Sequence, residues 1–217
     1  MAYADIVESI GPYEFHHPKN FPAVTEDPFH LVDFLKASTK AGSLSSAIDI
    51  GCSTGVIPLL LAANTNLMHI TGVEIDDDSA RSAIENVERN GLGEKIEIIK
   101  MDYRDLPKEA LYDIVVSNPP YIKMGSGRKS GNEKRKIARY EEIGNLKELI
   151  KVSKRLLSEA GSLFLIFPMI RQAELMGVLS EVDMTPLRVK DLYFDESKGT
   201  FKRFMIEVER KSHREEG

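Results

Sequence analysis

The feature that most constrains the fold of this chain is a regular alternation of short apolar runs with helical segments, which begins near residue 45. Seven runs have the length and composition of buried strands, and segments with helical periodicity separate most of them. The predicted strands are residues 47–50, 69–75, 95–100, 112–117, 161–167, 187–194 and 201–208. Strands that alternate with helices predict an α/β fold whose mostly parallel sheet is covered by helices on both faces.

The segments between these strands and at the chain ends complete the predicted organisation. Helices are expected at residues 56–63, 78–90, 137–157 and 170–180. The last two strands are joined by a short charged connection, which predicts an antiparallel pair at one edge of the sheet. We therefore divide the chain into an N-terminal extension with one helix near 28–40, a main domain and a polar tail. These three parts are residues 1–44, 45–210 and 211–217.

Composition excludes several classes of protein. The 217 residues are 42% hydrophobic and 29% charged, which is typical of a folded domain rather than a disordered chain. A net charge of −5 means that any contact with nucleic acid must come from a local patch. The single cysteine cannot form an intrachain disulfide, and neither a membrane span nor a signal peptide is recognisable. We therefore expect a cytoplasmic protein without a membrane partner.

A glycine-containing turn follows the first predicted strand and opens the first predicted helix, with the sequence DIGCSTG at residues 49–55. Gly51 and Gly55 allow a tight turn and the close approach of a ligand to backbone N–H groups. The spacing matches neither the G-x-G-x-x-G of dinucleotide enzymes nor a P-loop, so pyrophosphate binding is not the best interpretation. The same two glycines would also suit a tight strand-to-helix turn with no ligand.

Acidic residues end the next two predicted strands. Glu74 stands where a carboxylate can accept hydrogen bonds from both hydroxyls of a ribose, and Asp102 stands where an acid can bind an adenine amino group. Alternatively, Glu74 would cap the following helix or face solvent, and Asp102 would be the N-cap of a short turn ending at Pro107. The glycine turn, the two acids and the end of the fourth strand share the carboxyl edge, where open α/β sheets bind ligands.

The tetrapeptide Asn118, Pro119, Pro120 and Tyr121 directly follows the fourth predicted strand. The Asn118 side-chain carbonyl and the next backbone carbonyl can both accept hydrogen bonds from an –NH2 group, while two prolines remove backbone donors and stiffen the turn. Tyr121 offers a flat face on which a base or an amide can stack. The tetrapeptide would also simply end a strand, because proline cannot continue the hydrogen-bond ladder.

Taken together, residues 49–55, 74–76, 101–102 and 118–121 resemble the ordered motifs of class I S-adenosylmethionine (SAM)-dependent methyltransferases of the N-methylating branch. The resemblance covers about residues 45–210 and implies a Rossmann-like, seven-stranded SAM-methyltransferase sheet with SAM as the cofactor. It implies a catalytic role for Asn118, Pro119, Pro120 and Tyr121. The cofactor-binding residues that it implies are Asp49, Gly51, Cys52, Ser53, Gly55, Glu74, Ile75, Asp102, Tyr103 and Asn118.

Cys52 departs from the family pattern, because many relatives carry Thr or Ala at this place. Its side chain is small, and we expect it to pack rather than to react. A helix begins a few residues after Cys52, and a helix N-terminus can lower the pKa of a nearby thiol.

The segment 123–139 carries seven basic residues against one acid, a local charge of +6 in a chain whose net charge is −5. Cations placed directly after the tetrapeptide predict contacts with the phosphates of a nucleic-acid substrate. A solvated surface loop with no partner is the alternative. The basic residues are Lys123, Arg128, Lys129, Lys134, Arg135, Lys136 and Arg139.

With residues 24–31, 138–141 and 161–163, the chain resembles the tRNA1(Val) (adenine(37)-N6)-methyltransferase family. The resemblance implies methylation of an adenine next to the anticodon, with the flipped base stacked on Tyr121 and Asp27 near the site. His30 departs from the family, since relatives tend to have an apolar residue there. His16 and His17 lack a third ligand at metal-binding spacing, so we expect packing or surface positions and no metal.

Other substrates remain open at this point. The protein glutamine N5-methyltransferases of release factors also use Asn-Pro-Pro-Tyr, although their usual helical N-terminal domain does not match the stretch before residue 45 and the basic segment favours a polyanion. Methylation of rRNA or DNA and a SAM-binding RNA protein without turnover are further alternatives.

Overall fold

The computed structural model describes residues 6–17, 24–38, 45–109, 111–119, 146–193 and 202–211. Within these ranges the chain forms strands and α-helices that we number in chain order. The strands are β1 (Ile6–Ile10), β2 (Tyr13–His17), β3 (Ser46–Ile50), β4 (His69–Glu74), β5 (Ile96–Lys100), β6 (Tyr112–Ser117), β7 (Leu157–Pro168), β8 (Met184–Tyr193) and β9 (Lys202–Arg210). The helices are α1 (Asp27–Lys36), α2 (Val56–Asn64), α3 (Asp77–Arg89), α4 (Leu146–Leu156) and α5 (Gln172–Glu181).

Seven strands form one sheet in the spatial order β5-β4-β3-β6-β7-β9-β8. The pairs from β5 to β7 are all parallel, whereas β9 runs antiparallel to both β7 and β8. The predicted α/β fold, a mostly parallel seven-stranded sheet with an antiparallel C-terminal edge, is confirmed. From β3 the chain proceeds first to β4 on one side and later to β6 on the other, which opens a crevice at the carboxyl ends of β3 and β6.

Alternating side chains of the central strands pack into two separate apolar layers. In β6, Ile114 and Val116 face the layer with α1 and α2, while Val115 faces the layer with α4 and α5. This period of two is the pattern expected of a sheet covered on both faces. Each fully buried aliphatic side chain stabilises the fold by about 1.5–3 kcal/mol relative to an exposed one.

The largest boundary differences lie around β7. Of the helix predicted at 137–157, the structure describes α4, which runs from Leu146 to Leu156. Residues 137–145 lie outside the described part. β7 begins at once with Leu157, which pairs with Tyr112 before a register shift in the ladder. Gly161 allows β7 to pass this close to β6. A Cβ at this position would come within 2.9 Å of the Tyr112 carbonyl oxygen. The helix predicted at 170–180 starts at Gln172, after a 3-10 turn at Met169–Arg171.

The N-terminal part contains the predicted helix, as α1, and a hairpin that the sequence pattern did not indicate. β1 and β2 pair antiparallel through a turn at Gly11, whose φ of 59° favours glycine. The division of the chain at residue 44 stays a prediction. In the described ranges, every helix is too short or too polar to cross a bilayer.

The end of α1 is fastened to the antiparallel edge by Arg188 of β8. Its guanidinium donates to the Glu207 carboxylate at 2.5 Å and to the carbonyl oxygens of Phe34 and Ala37 at 2.9 and 3.2 Å. The Arg188 guanidinium also lies 4.2 Å from the centre of the Phe34 ring. Because Glu207 is buried and also accepts from Ser38 Oγ at 2.7 Å, this cluster fixes α1 against the sheet.

Candidate functional site

Four strand ends come together at the carboxyl edge of the sheet. The Ser117 hydroxyl at the end of β6 donates to the Ile50 carbonyl at the end of β3, at 2.7 Å. On the other side, the Met101 N–H donates to the Glu74 carbonyl at 3.0 Å and joins β5 to β4. The structure therefore places the glycine turn, Glu74, Asp102 and Asn118 along one edge, as the sequence predicts. Their individual roles toward a cofactor stay predictions.

The turn after β3 has an unusual backbone. Gly51, Ser53 and Gly55 have φ values of 78°, 50° and 91°, in the left-handed region that favours glycine. The N–H groups of Gly51 and Cys52 both donate to the Val73 carbonyl, at 2.9 and 3.0 Å. This hydrogen bonding draws the turn back over the end of β4. We call residues 51–55 the cofactor loop.

Glu74 is a buried carboxylate that holds the cofactor loop. It accepts hydrogen bonds from the N–H groups of Ser53, Ile75 and Asp76, each at 2.9 Å. Burial raises the pKa of Glu74 above its ordinary value, although these hydrogen bonds act in the opposite direction. Glu74 neither faces solvent nor caps α3, since Asp76 provides that cap by accepting from the Ser79 N–H at 3.1 Å.

Asp49 is a buried carboxylate without a hydrogen-bond partner in the described part of the chain. Asp49 is the second-to-last residue of β3, an internal strand of the sheet. Its side chain is 1% exposed, and neither carboxylate oxygen has a hydrogen-bond partner among the described residues. Burial raises the pKa of Asp49 well above its ordinary value, and the nearby charge of Glu74 adds to the effect. An unpaired buried carboxylate is costly, so this position is suited to a cationic group of a ligand.

Within the cofactor loop, the side chain of Cys52 packs against β4, as expected. The thiol is buried against Gly72 of β4, where a Cβ would come within 2.9 Å of Cys52 Sγ. Burial raises the pKa of the Cys52 thiol well above its ordinary value, and the charges of Asp49 and Glu74 raise it further. The helix N-terminus, which was able in principle to lower this pKa, does not do so, because desolvation and two nearby carboxylates outweigh it.

Asp102 serves as the N-cap of a 3-10 turn at Tyr103–Asp105, which was the alternative to cofactor binding. It accepts from the Arg104 N–H at 2.9 Å and from Arg104 Nη2 at 2.6 Å. Burial alone would raise the pKa of Asp102, but the hydrogen bonds and charge of Arg104 hold it below its ordinary value. Burial raises the pKa of Tyr103 to about 12, so its phenol is neutral. A role for Asp102 or Tyr103 beside adenine stays a prediction.

Asn118 and Pro119 are half-buried at the end of β6. Pro120, Tyr121 and all seven basic residues of the segment 123–139 lie outside the described residues. Asp27 at the start of α1 is buried and accepts from Arg203 Nε at 3.3 Å. Arg203 lies opposite Pro168 at the carboxyl end of β7, so the structure brings Asp27 to the same edge as Asn118. Sequence reasoning missed Arg203, since no local pattern distinguishes it from other basic residues near the C-terminus.

The described residues contain no group of three or more His, Cys, Asp and Glu side chains that could hold a metal ion. His17 is buried and its ring is stacked on Phe15, with ring centroids 6.0 Å apart. His17 therefore belongs to the packing of the hairpin.

Comparison with known proteins finds similar relatives that carry one and the same name. The chain is 31% identical over 147 residues to a Flavobacterium johnsoniae protein named tRNA1(Val) (adenine(37)-N6)-methyltransferase, covering 66% of this chain and 61% of the relative. A Porphyromonas gingivalis protein of the same name is 36% identical over 141 residues, covering 62% and 54% of the two chains. The chain thus spans less than two thirds of the length of these relatives.

A solved structure and a sequence family extend the comparison. The N-terminal domain of human METTL16 in complex with SAH (S-adenosylhomocysteine) matches with a TM-score of 0.60 and 20% identity, covering 92% of this chain and 76% of that one. At this identity the match shows the fold alone, which is Rossmann-like as predicted. The profile of the methyltransferase small domain family matches residues 30–182, and the chain belongs to this family of SAM-dependent methyltransferases.

Proposed function

We propose that this protein transfers a methyl group from SAM to N6 of an adenine in a tRNA, next to the anticodon. Membership of the methyltransferase family and the names of the similar relatives support the substrate class. The observation that carries the proposal furthest is the unpaired, buried carboxylate of Asp49, placed beside the cofactor loop where four strands end.

The residues at this edge fit the parts of SAM. The Asp49 carboxylate lacks the partner that the α-ammonium of the methionine part would supply, and ionic pairing would bring its pKa back down. Glu74 would hold the ribose hydroxyls, and Asp102 with Ile75 and Tyr103 would border the adenine. When bound, SAM supplies an electrophilic methyl group on a positively charged sulfonium.

Asn118 and Pro119 would act on the target nitrogen. The lone pair of adenine N6 is delocalised into the ring, which makes the nitrogen a poor nucleophile. The Asn118 Oδ1 and the Pro119 carbonyl would accept its two hydrogens and favour a pyramidal nitrogen. This is catalysis by positioning and electrostatic stabilisation. Tyr121 would stack on the target base after that base is extruded from its position in the RNA.

The segment 123–139 would hold the RNA. Its local charge of +6 in an acidic chain favours phosphate contacts, which anchor RNA without reading its sequence. An anticodon loop is single-stranded, so extruding one base costs little. We place the activity in the cytoplasm, where a reducing environment suits a chain with one buried cysteine.

The test is methyl transfer from radiolabelled SAM to unmodified total tRNA and, separately, to total protein, followed by nucleoside analysis of labelled RNA. We expect label in tRNA, recovered as N6-methyladenosine. Label in protein alone would assign the enzyme to glutamine methylation. SAM binding without transfer to either substrate would indicate a binding protein without turnover.

A further inference from the structure

The outer edge of β2 is covered by two asparagine side chains, Asn86 on α3 and Asn90 at its C-terminal end. The Asn90 amide accepts from the Glu14 N–H at 2.9 Å and donates to the Glu14 carbonyl at 2.7 Å. The Asn86 amide makes the same pair of hydrogen bonds with His16, at 2.8 and 3.0 Å. A primary amide has both a donor and an acceptor, so each side chain pairs with β2 as a neighbouring strand would.

The spacing of the two asparagines matches that of the strand. Four residues of a helix advance about 6.0 Å, and two residues of a strand advance about 6.6 Å. Asn86 and Asn90 can therefore contact alternate residues of β2 without distortion. These four hydrogen bonds fasten the N-terminal hairpin to α3.

Asn86 makes one further contact that Asn90 does not make. Its Nδ2 also donates to the carbonyl oxygen of Thr54 in the cofactor loop, at 3.0 Å, whereas the second hydrogen of Asn90 Nδ2 goes to the Asn86 carbonyl within the same helix. Asn86 is 1% exposed and Thr54 is 3% exposed. Without Asn86, the Thr54 carbonyl would be deprived of this buried hydrogen bond.

The cofactor loop depends on such contacts, because Ser53 has a positive φ that a side-chain-bearing residue rarely adopts. Glu74 holds the Ser53 N–H from one side, and Asn86 holds the Thr54 carbonyl from the other. One turn before Asn86, Ala83 approaches Gly55 so closely that a Cβ on Gly55 would lie 3.3 Å from the Ala83 Cβ. The helix that carries Asn86 is thus seated directly against the loop.

We propose that Asn86 is a positioning residue that couples docking of the N-terminal hairpin to the conformation of the cofactor loop. The hairpin then contributes to cofactor affinity through Asn86. This inference rests on the proposed binding of SAM at the loop. Thermodynamic reciprocity requires that a cofactor which favours this loop conformation also strengthens the docking of the hairpin.

The experiment compares Asn86→Ala with Asn90→Ala in the full chain, by calorimetric titration with S-adenosylhomocysteine. Both variants remove two hydrogen bonds to β2, and only Asn86→Ala removes the bond to the loop. We expect about a 10- to 100-fold loss of affinity for Asn86→Ala and less than about 3-fold for Asn90→Ala, since an unpaired buried carbonyl is costly. Equal losses of affinity in both variants, or no loss in a folded Asn86→Ala, would overturn the proposal.

A second measurement uses the unsubstituted protein and does not depend on the folding of a variant. Amide hydrogen exchange of His16 should slow severalfold more on addition of S-adenosylhomocysteine than exchange of amides in β8, which lies at the far edge of the sheet. Equal slowing at both places would contradict the coupling. If the unsubstituted protein does not bind S-adenosylhomocysteine at all, the proposed use of SAM fails instead.

Discussion

Replacing Asp49 by asparagine should stabilise the cofactor-free protein and weaken cofactor binding. The substitution keeps the shape of the side chain but removes the charge from a carboxylate that is 1% exposed and has no partner in the described structure. Removing an unpaired buried charge should stabilise the fold by about 1–3 kcal/mol. For a chain of this length, that gain corresponds to about 2–4 °C in melting temperature for each kcal/mol.

The stabilisation should depend on pH in a defined direction. Because folding raises the pKa of Asp49, its protonated form is favoured in the folded state, and the associated stability is present at low pH. That stability is lost as pH rises through the folded pKa, whereas the asparagine has no proton to lose. The two proteins should therefore differ little near about pH 4, the ordinary pKa range of an aspartate, and increasingly at higher pH.

The assay is urea denaturation without cofactor from about pH 4 to pH 8, combined with calorimetric titration of S-adenosylhomocysteine, which retains the α-ammonium. Loss of one charge-assisted hydrogen bond should lower the affinity of Asp49→Asn about 10- to 100-fold. Glu74 titrates in both proteins, and because its charge raises the pKa of Asp49, the difference between the two proteins reports Asp49 together with this interaction. A variant that is less stable at pH 8 and binds with unchanged affinity would refute the reasoning.

Three further predictions concern transfer, RNA binding and packing. Asn118→Ala should reduce single-turnover methyl transfer by about 100- to 1000-fold while changing cofactor affinity less than about 3-fold; equal reductions in transfer and affinity would make Asn118 structural. Reversing three charges of the segment 123–139 should weaken RNA binding and flatten its salt dependence, by about one unit of slope for each phosphate that is no longer bound. The three residues are Arg128, Lys129 and Arg135, and an unchanged slope in filter binding would remove the segment from the RNA site. Gly72→Ala should destabilise the protein by about 1–3 kcal/mol in urea denaturation, because the new Cβ would lie 2.7 Å from Ile98 Cδ1 and 2.9 Å from Cys52 Sγ. Adding Cys52→Ala should restore the part of this stability that the contact with Sγ costs, and additive destabilisation would contradict the close approach of Sγ.

The strands of the sheet were predicted from sequence to within a few residues at most ends, since each signal is local. β6 was predicted with its observed bounds, because Ile114, Val115 and Val116 form an apolar run that is followed by a polar turn with two prolines. The start of β7 was missed by four residues, because residues 157–160 extend the strand only through pairing with Tyr112 and a register shift. The hairpin was missed for the same kind of reason: its two strands have five residues each and depend on asparagines about seventy positions away.

The sequence by itself determined the strand-to-helix alternation, the glycine positions of the cofactor loop and the location of the polar residues at strand ends. These properties follow from short-range periodicity and from backbone conformations that only certain residues adopt. Tertiary structure alone decided that Asp49 is buried without a partner in the described part of the chain, and that Asn86 joins the hairpin to the loop. Desolvation and hydrogen bonding depend on which distant segments surround a side chain, and the local sequence does not specify those neighbours.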